Sequence, residues 1–138
     1  PKTVLEAKFS FQFCMAIALL KRQAKINEFT DEMMRDPKVI ELMKKTEVYV
    51  DPEIDRISAA VGNDYSKPQP GTLVKVKMKD GRVYCRQLED VRMKKGGPKN
   101  PLSDKELITK YRNCARLAIP VEEIDSSIDL IMRLENVD

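Results

Sequence analysis

Three groups of residues in this sequence have the types and spacing to do chemistry. Lys8, Ser10 and Gln12 stand at the mouth of a nearly all-apolar stretch, Phe9 to Leu20. Polar groups there must find partners, because a buried, unsatisfied one costs about 1–3 kcal/mol. Neighbouring backbone can supply the partners; alternatively, a cation and a hydroxyl at a helix start can hold an anion. The second group is Lys75, Lys77 and Arg86 with Tyr84, a basic set that could take phosphates, polycarboxylates or single-stranded nucleic acid. One aromatic is thin for a base-stacking surface, so a solvated outer face of a sheet is the simpler reading. The third is Gly96-Gly97, whose backbone could cradle an anion. That stretch lacks the spacing of a phosphate loop, and Pro98 and Pro101 withhold two donors, which favours a plain connector.

Other chemistries are removed by composition. The 138 residues contain no His, so His-based triads, His-ligated zinc or haem and an imidazole acid–base pair need another polypeptide segment. Cys14, Cys85 and Cys114 are far apart and set among apolar neighbours, which predicts reduced, buried thiols of a cytoplasmic protein rather than a metal or redox site. No metal or cofactor is expected. Glu122-Glu123 falls at a helix start, where the helix dipole accounts for it without catalysis. A net charge of +3 is too small to imply a nucleic-acid or membrane partner. The Phe9–Leu20 run is interrupted by Ser10 and Gln12 and is far short of the roughly 20 residues of a membrane span. With an acid in Pro1–Ala7 and no small-residue cleavage site, it is not a signal peptide either. The chain begins at Pro1 without Met, as expected of a trimmed start or of a piece of something longer.

The elements that position these residues read as α+β: a small antiparallel hairpin packed against several helices, in a single domain over 1–138. Phe9–Leu20, apolar nearly all round, predicts a buried helix ended by Lys21-Arg22. Thr30 caps a short helix to Arg35, and Asp36-Pro37 restarts one with Val39, Ile40, Leu42 and Met43 inside. Glu47–Val50 has β character, and Ile54, Ile57 and Val61 mark a short helix before a loop at Ser66–Gly71. Leu73–Lys79 and Arg82–Leu88 flank Asp80-Gly81, the preferred pair of a two-residue hairpin turn. Closing there sets Met78 opposite Val83 and Val76 opposite Cys85, with Val74 on the same apolar face. Lys75, Lys77, Lys79, Arg82, Tyr84 and Arg86 then share the other face, with Lys79 opposite Arg82 and Lys75 opposite Arg86. Ser103-x-x-Glu106 is a capping box opening a helix to about Leu117, and Pro120 opens a last helix striped by Ile124, Ile128, Ile131 and Leu134. Thr72–Lys99 carries nine Lys or Arg against three Asp or Glu, whereas Ser103–Asp138 carries five against eight.

Several stretches together resemble the C-terminal domain of the MmgE/PrpD family: Ala7-Lys8-Phe9-Ser10-Phe11-Gln12-Phe13 with Ala16-x-Ala18-Leu19; Val74–Val83 with its Lys-Asp-Gly-Arg; and Gly97-Pro98-Lys99-Asn100-Pro101-Leu102-Ser103-Asp104-Lys105-Glu106-Leu107 with Lys110-Tyr111-Arg112 and Cys114-Ala115. Arg133-Leu134-Glu135-Asn136 fits as well. The resemblance implies metal-independent enzymes acting on small polycarboxylates, such as 2-methylcitrate dehydratases, cis-aconitate decarboxylases and iminodisuccinate epimerases. It implies an active site between a large helical N-terminal domain, lacking in these 138 residues, and a smaller α+β lid, in homodimers. This segment alone is then expected to be inactive. Within it, the resemblance implies Lys8, Ser10 and Phe13 as substrate-lining residues and no catalytic residue. Phe13 stands where many relatives have Tyr, so no phenolic hydroxyl is available there. A stand-alone module binding nucleic acid or an acidic partner through Lys75, Lys77 and Arg86 is the alternative.

Overall fold

A computed structural model describes residues 1–62, 64 and 66–136. Among these the chain forms helices and one two-stranded antiparallel sheet, the expected α+β class. It divides into two compact units, Pro1–Tyr49 and Val50–Asp138, each described by itself.

The first unit is helical: α1 (Val4–Lys8), α2 (Phe11–Lys21), α3 (Asp31–Arg35) and α4 (Pro37–Lys44). The apolar run does not form one helix from Phe9. Thr3 Oγ1 accepts from Glu6 N and Ser10 Oγ from Phe13 N, both at 3.2 Å, so each opens its own helix and the chain breaks at Phe9. As a result α2 is not buried all round. Phe13, Ala16 and Ile17 are fully covered against Val39 and Ala7, while Phe11 is 70 % exposed and Phe9 81 %. Thr30 and Asp36 cap α3 and α4 as their residue types predict, with Pro37 at the first position of α4. Buried Glu28 is satisfied locally: its carboxylate accepts from Gln23 Nε2 and from Lys25 N, both at 2.6 Å. Glu47–Val50 is irregular and exposed rather than a strand, because no strand among the described residues pairs with it.

The second unit contains α5 (Pro52–Val61), β1 (Pro70–Lys77), β2 (Val83–Asp90), α6 (Asp104–Ala115) and α7 (Val121–Met132). Asp51 caps α5, accepting from Glu53 N at 3.0 Å, and α5 packs on β1. The capping box of α6 forms as read, with Ser103 N donating to Glu106 Oε2 at 2.9 Å. Along α7 only Ile124 and Ile128 of the expected stripe are buried, against Ala115; Ile131 and Leu134 are exposed. Cys85 and Cys114 are exposed and Cys14 half-buried, so the expected burial of the thiols does not hold.

The hairpin corrects the expected register by one residue. The last strand pair is Lys77 with Val83, Met78 N donates to Arg82 O at 2.8 Å, and Gly81 N donates to Met78 O at 3.0 Å. The loop is therefore Lys79-Asp80-Gly81, with Gly81 left-handed at φ +86° in the bulge position such a loop requires. Two interactions favour it. Asp80 accepts from Arg82 N at 3.0 Å and pairs with the Arg82 guanidinium at 2.7 Å. The two like-charge oppositions also vanish, since Lys75 now faces Cys85 and Arg86 faces Val74.

Candidate functional site

The corrected register dismantles one candidate. Directly opposed residues share a face, so Thr72, Val74 and Val76 lie with Leu88, Arg86 and Tyr84, while Leu73, Lys75 and Lys77 lie with Gln87, Cys85 and Val83. Lys75 and Lys77 are thus on the opposite side of the ribbon from Arg86 and Tyr84. The single basic platform that nucleic acid or an acidic partner would need is not formed. A one-residue shift between strands has this effect because side chains alternate with period two.

The Gly96-Gly97 loop is also spoken for. Gly96 N donates to Asn100 O at 2.8 Å, Gly97 N to Lys94 O at 2.7 Å, Lys99 N to Arg92 O at 3.2 Å and Asn100 N to Gly97 O at 3.0 Å. With its amides turned inward the loop offers no cradle. Its neighbour is a polar cluster that no sequence pattern announced. Asp90 is 7 % exposed and accepts from Gln69 N at 3.2 Å, Arg92 N at 3.0 Å and the Arg92 guanidinium at 2.8 Å. Arg92 Nη1 also donates to Ser66 O at 2.8 Å. The Arg92 side chain, above all, holds the Asp90 carboxyl well below the usual carboxylate range. The only sequence signal was an Asp-x-Arg at a strand end; the decisive partner lies 21 residues earlier. This cluster is a structural clamp, closed to a substrate by its own hydrogen bonds.

The third candidate lies in the first unit. A depression of about 550 Å³ there is lined by Pro1, Ser10, Gln12, Met34, Ile40, Met43 and Lys44. Ser10 reaches it from the start of α2, where its hydroxyl also donates to Gln12 Oε1 at 3.4 Å. Lys8 is exposed at the end of α1, two residues away, and does not line the depression. Phe13 is fully buried and does not line the depression; its ring is 5.6 Å from that of Phe29, and its backbone N–H donates to Ser10 Oγ. The structure therefore brings Ser10 and Gln12 together at a surface, leaves Lys8 in solvent two residues away and puts the Phe13 side chain in the core. Lys44 was missed in the sequence: it is one of two adjacent lysines at the end of α4, and only tertiary packing selects it. Cys14, close by, is half-buried, and burial pushes its thiol up, away from the reactive thiolate form.

No helix among the described residues is long and apolar enough to cross a membrane. Among curated proteins, mouse (Mus musculus) cis-aconitate decarboxylase is 24 % identical over 141 residues, a match covering 100 % of this chain and 26 % of the relative. The chain thus spans about a quarter of the length of that relative. Residues 1–136 match the model of the MmgE/PrpD C-terminal domain, a range that includes the stretches Ala7–Phe13, Val74–Val83 and Gly97–Leu107, and the chain belongs to the MmgE/PrpD family through its C-terminal domain.

Proposed function

We propose that this chain is the lid of a metal-independent enzyme acting on a small di- or tricarboxylate, with no cofactor and with its acid–base groups on other polypeptide. The observation that carries the reading is the family match over residues 1–136. The zero count of His fits a division of labour in which these residues bind and cover while others move protons. Lys8 supplies a cation for a carboxylate, and Ser10 a hydroxyl at the same surface. Phe13 serves through its backbone amide, which holds Ser10. The favoured reaction is a dehydration of 2-methylcitrate type. A base removes the proton on carbon next to a carboxylate, the carbon–carbon double bond forms, and the hydroxyl leaves as water after protonation. A second reading, loss of carbon dioxide from cis-aconitate, is favoured by the name of the mouse relative. Its carboxylate carbon–carbon bond breaks, and the electron pair left behind is quenched by a proton.

The partner in this reading is the large helical N-terminal domain of the family, within a homodimeric, cytoplasmic enzyme without membrane or nucleic-acid contacts. The exposed Leu5, Phe9 and Phe11 at the start of the chain supply apolar surface for such a partner, more than a solvated face needs.

The test is turnover of 2-methylcitrate and cis-aconitate. The 138-residue chain alone is expected to be silent. Joined behind the N-terminal part of a family enzyme, it is expected to act on one of the two, with Ser10→Ala lowering kcat/KM about tenfold. Turnover by the chain alone would remove the lid assignment, and a joined enzyme inactive on both substrates would remove the substrate class.

A further inference from the structure

We infer that Gln12 and Lys44, neither assigned a role by the family resemblance, form a carboxylate subsite in the depression of the first unit, taking one carboxylate of a small di- or tricarboxylate. The inference rests on the substrate class proposed above and adds which side chains would read it.

Four observations converge. The depression, about 550 Å³, has the size of a small-molecule site, and Met34, Ile40 and Met43 give it an apolar lining. No acid is among its lining residues, so nothing in the wall competes for a cation. Gln12 has its carbonyl oxygen occupied, accepting from Ser10 Oγ at 3.4 Å. That orientation leaves the two amide N–H groups of Gln12 as donors. Finally, the two adjacent lysines of α4 and its end are treated differently. Lys45 pairs with Glu41 one turn earlier, whereas Lys44 lines the depression and makes no ion pair among the described residues.

A carboxylate has two oxygens and prefers charge-assisted donors. An ammonium from α4 and an amide from the first turn of α2 can each take one oxygen. The N-terminus of the 11-residue α2 adds its partial positive charge on the same side. A phosphate would be held less well, because one amide and one ammonium leave its further oxygens without donors. Two sites then divide one substrate: Gln12, oriented by the single Ser10 proton, with Lys44 for one carboxylate, and Lys8 for another.

The test is a titration of the 138-residue chain with propane-1,2,3-tricarboxylate, an unreactive probe, followed by amide NMR, with the neutral triamide as control. The tricarboxylate is expected to shift the Gln12 side-chain amide and the Met43 and Lys44 backbone amides, and the triamide is not. Lys44→Gln should weaken binding roughly tenfold and Gln12→Met severalfold, while Lys44→Arg keeps most of the affinity. Lys45→Gln, which removes the same charge one residue on, should leave binding unchanged. Absence of binding, equal loss in Lys44→Gln and Lys45→Gln, or shifts confined to other residues would overturn the subsite. Its failure is separable from that of the proposed activity. Tricarboxylate binding through Gln12 and Lys44 without turnover in the joined enzyme sinks the activity and keeps the subsite. Turnover unaffected by both substitutions does the reverse.

Discussion

The two units of this chain hold themselves together by different means. In the first, Phe13, Ile17 and Val39 are fully buried with Ala7 and Ala16, and the side-chain hydrogen bonds are local in sequence. In the second, no core side chain among the described residues is fully covered: Ala115 keeps 9 % of its exposure, Ile124 3 % and Ile128 7 %. Directed polar contacts tie its elements instead: Asp90 with Gln69, Arg92 with Ser66, Tyr111 Oη donating to Ser127 Oγ at 3.0 Å and Arg112 with Asp125 at 2.8 Å. Apolar packing has no charge to titrate or screen, unlike hydrogen-bonded charged groups. The lesson is that a small α+β chain can carry its candidate ligand surface on the unit with the rigid core and leave the thin-cored unit to polar fastening.

The largest expected effect tests the packed unit. Phe13→Ala removes a fully buried ring and should cost about 3–5 kcal/mol, read by urea unfolding with amide exchange in α2 and α4. A loss below 1 kcal/mol would mean that the first unit is not held by its core. Ile128→Ala should cost less, about 2 kcal/mol, because its half-exposed neighbours can settle into the space. An equal cost for the two would erase the contrast. Next comes Ser103→Ala at about 1 kcal/mol, confined to the start of α6.

The smallest effect is a pH dependence, and its sign follows from the same cap. The Ser103 hydroxyl and backbone N–H, helped by Lys95 at 3.0 Å, hold Glu106 down at about 2 instead of its ordinary 4.5. A carboxyl depressed in the folded state stabilises fully above its unfolded value and stops doing so once protonated. The contribution is therefore complete above about pH 4.5 and fades as pH falls through 2. Amide exchange at the start of α6 should follow that window, and in Ser103→Ala its transition should move up toward 4.5. Exchange in α2, which has no acid in its first turn, should not follow it.

Much of this was legible in the residues themselves. Local signals held: Thr30, Asp36-Pro37 and Ser103-x-x-Glu106 opened helices where they stand, because a cap needs only its own next three amides. The hairpin itself was legible, but its register was not. Asp80-Gly81 is compatible with both a two-residue turn and a three-residue loop, and the choice depends on Arg82 pairing with Asp80 and on avoiding like charges across the strands. Phe9 and Phe11 misled because apolar character says that a residue would rather be covered, not that the same chain covers it. Ser10 and Gln12 could be named from their position in the apolar run. Lys44 could not, since two neighbouring lysines are alike until α2 is laid beside α4.

The Asp90 clamp gives the hairpin a property that its two short strands would not have. At one end the chain is closed covalently through Gly81. At the other, Asp90 fastens Gln69 and Arg92, and Arg92 fastens Ser66. Between them Gly71 lies so close to the other strand that an added Cβ would fall 1.4 Å from Leu88 O. The ribbon is in effect a ring with no slack, and one strand cannot creep past the other by a residue. Any change of register must first open the ring, so the inner amides of β1 and β2 should exchange with solvent in one shared event rather than fray from the end.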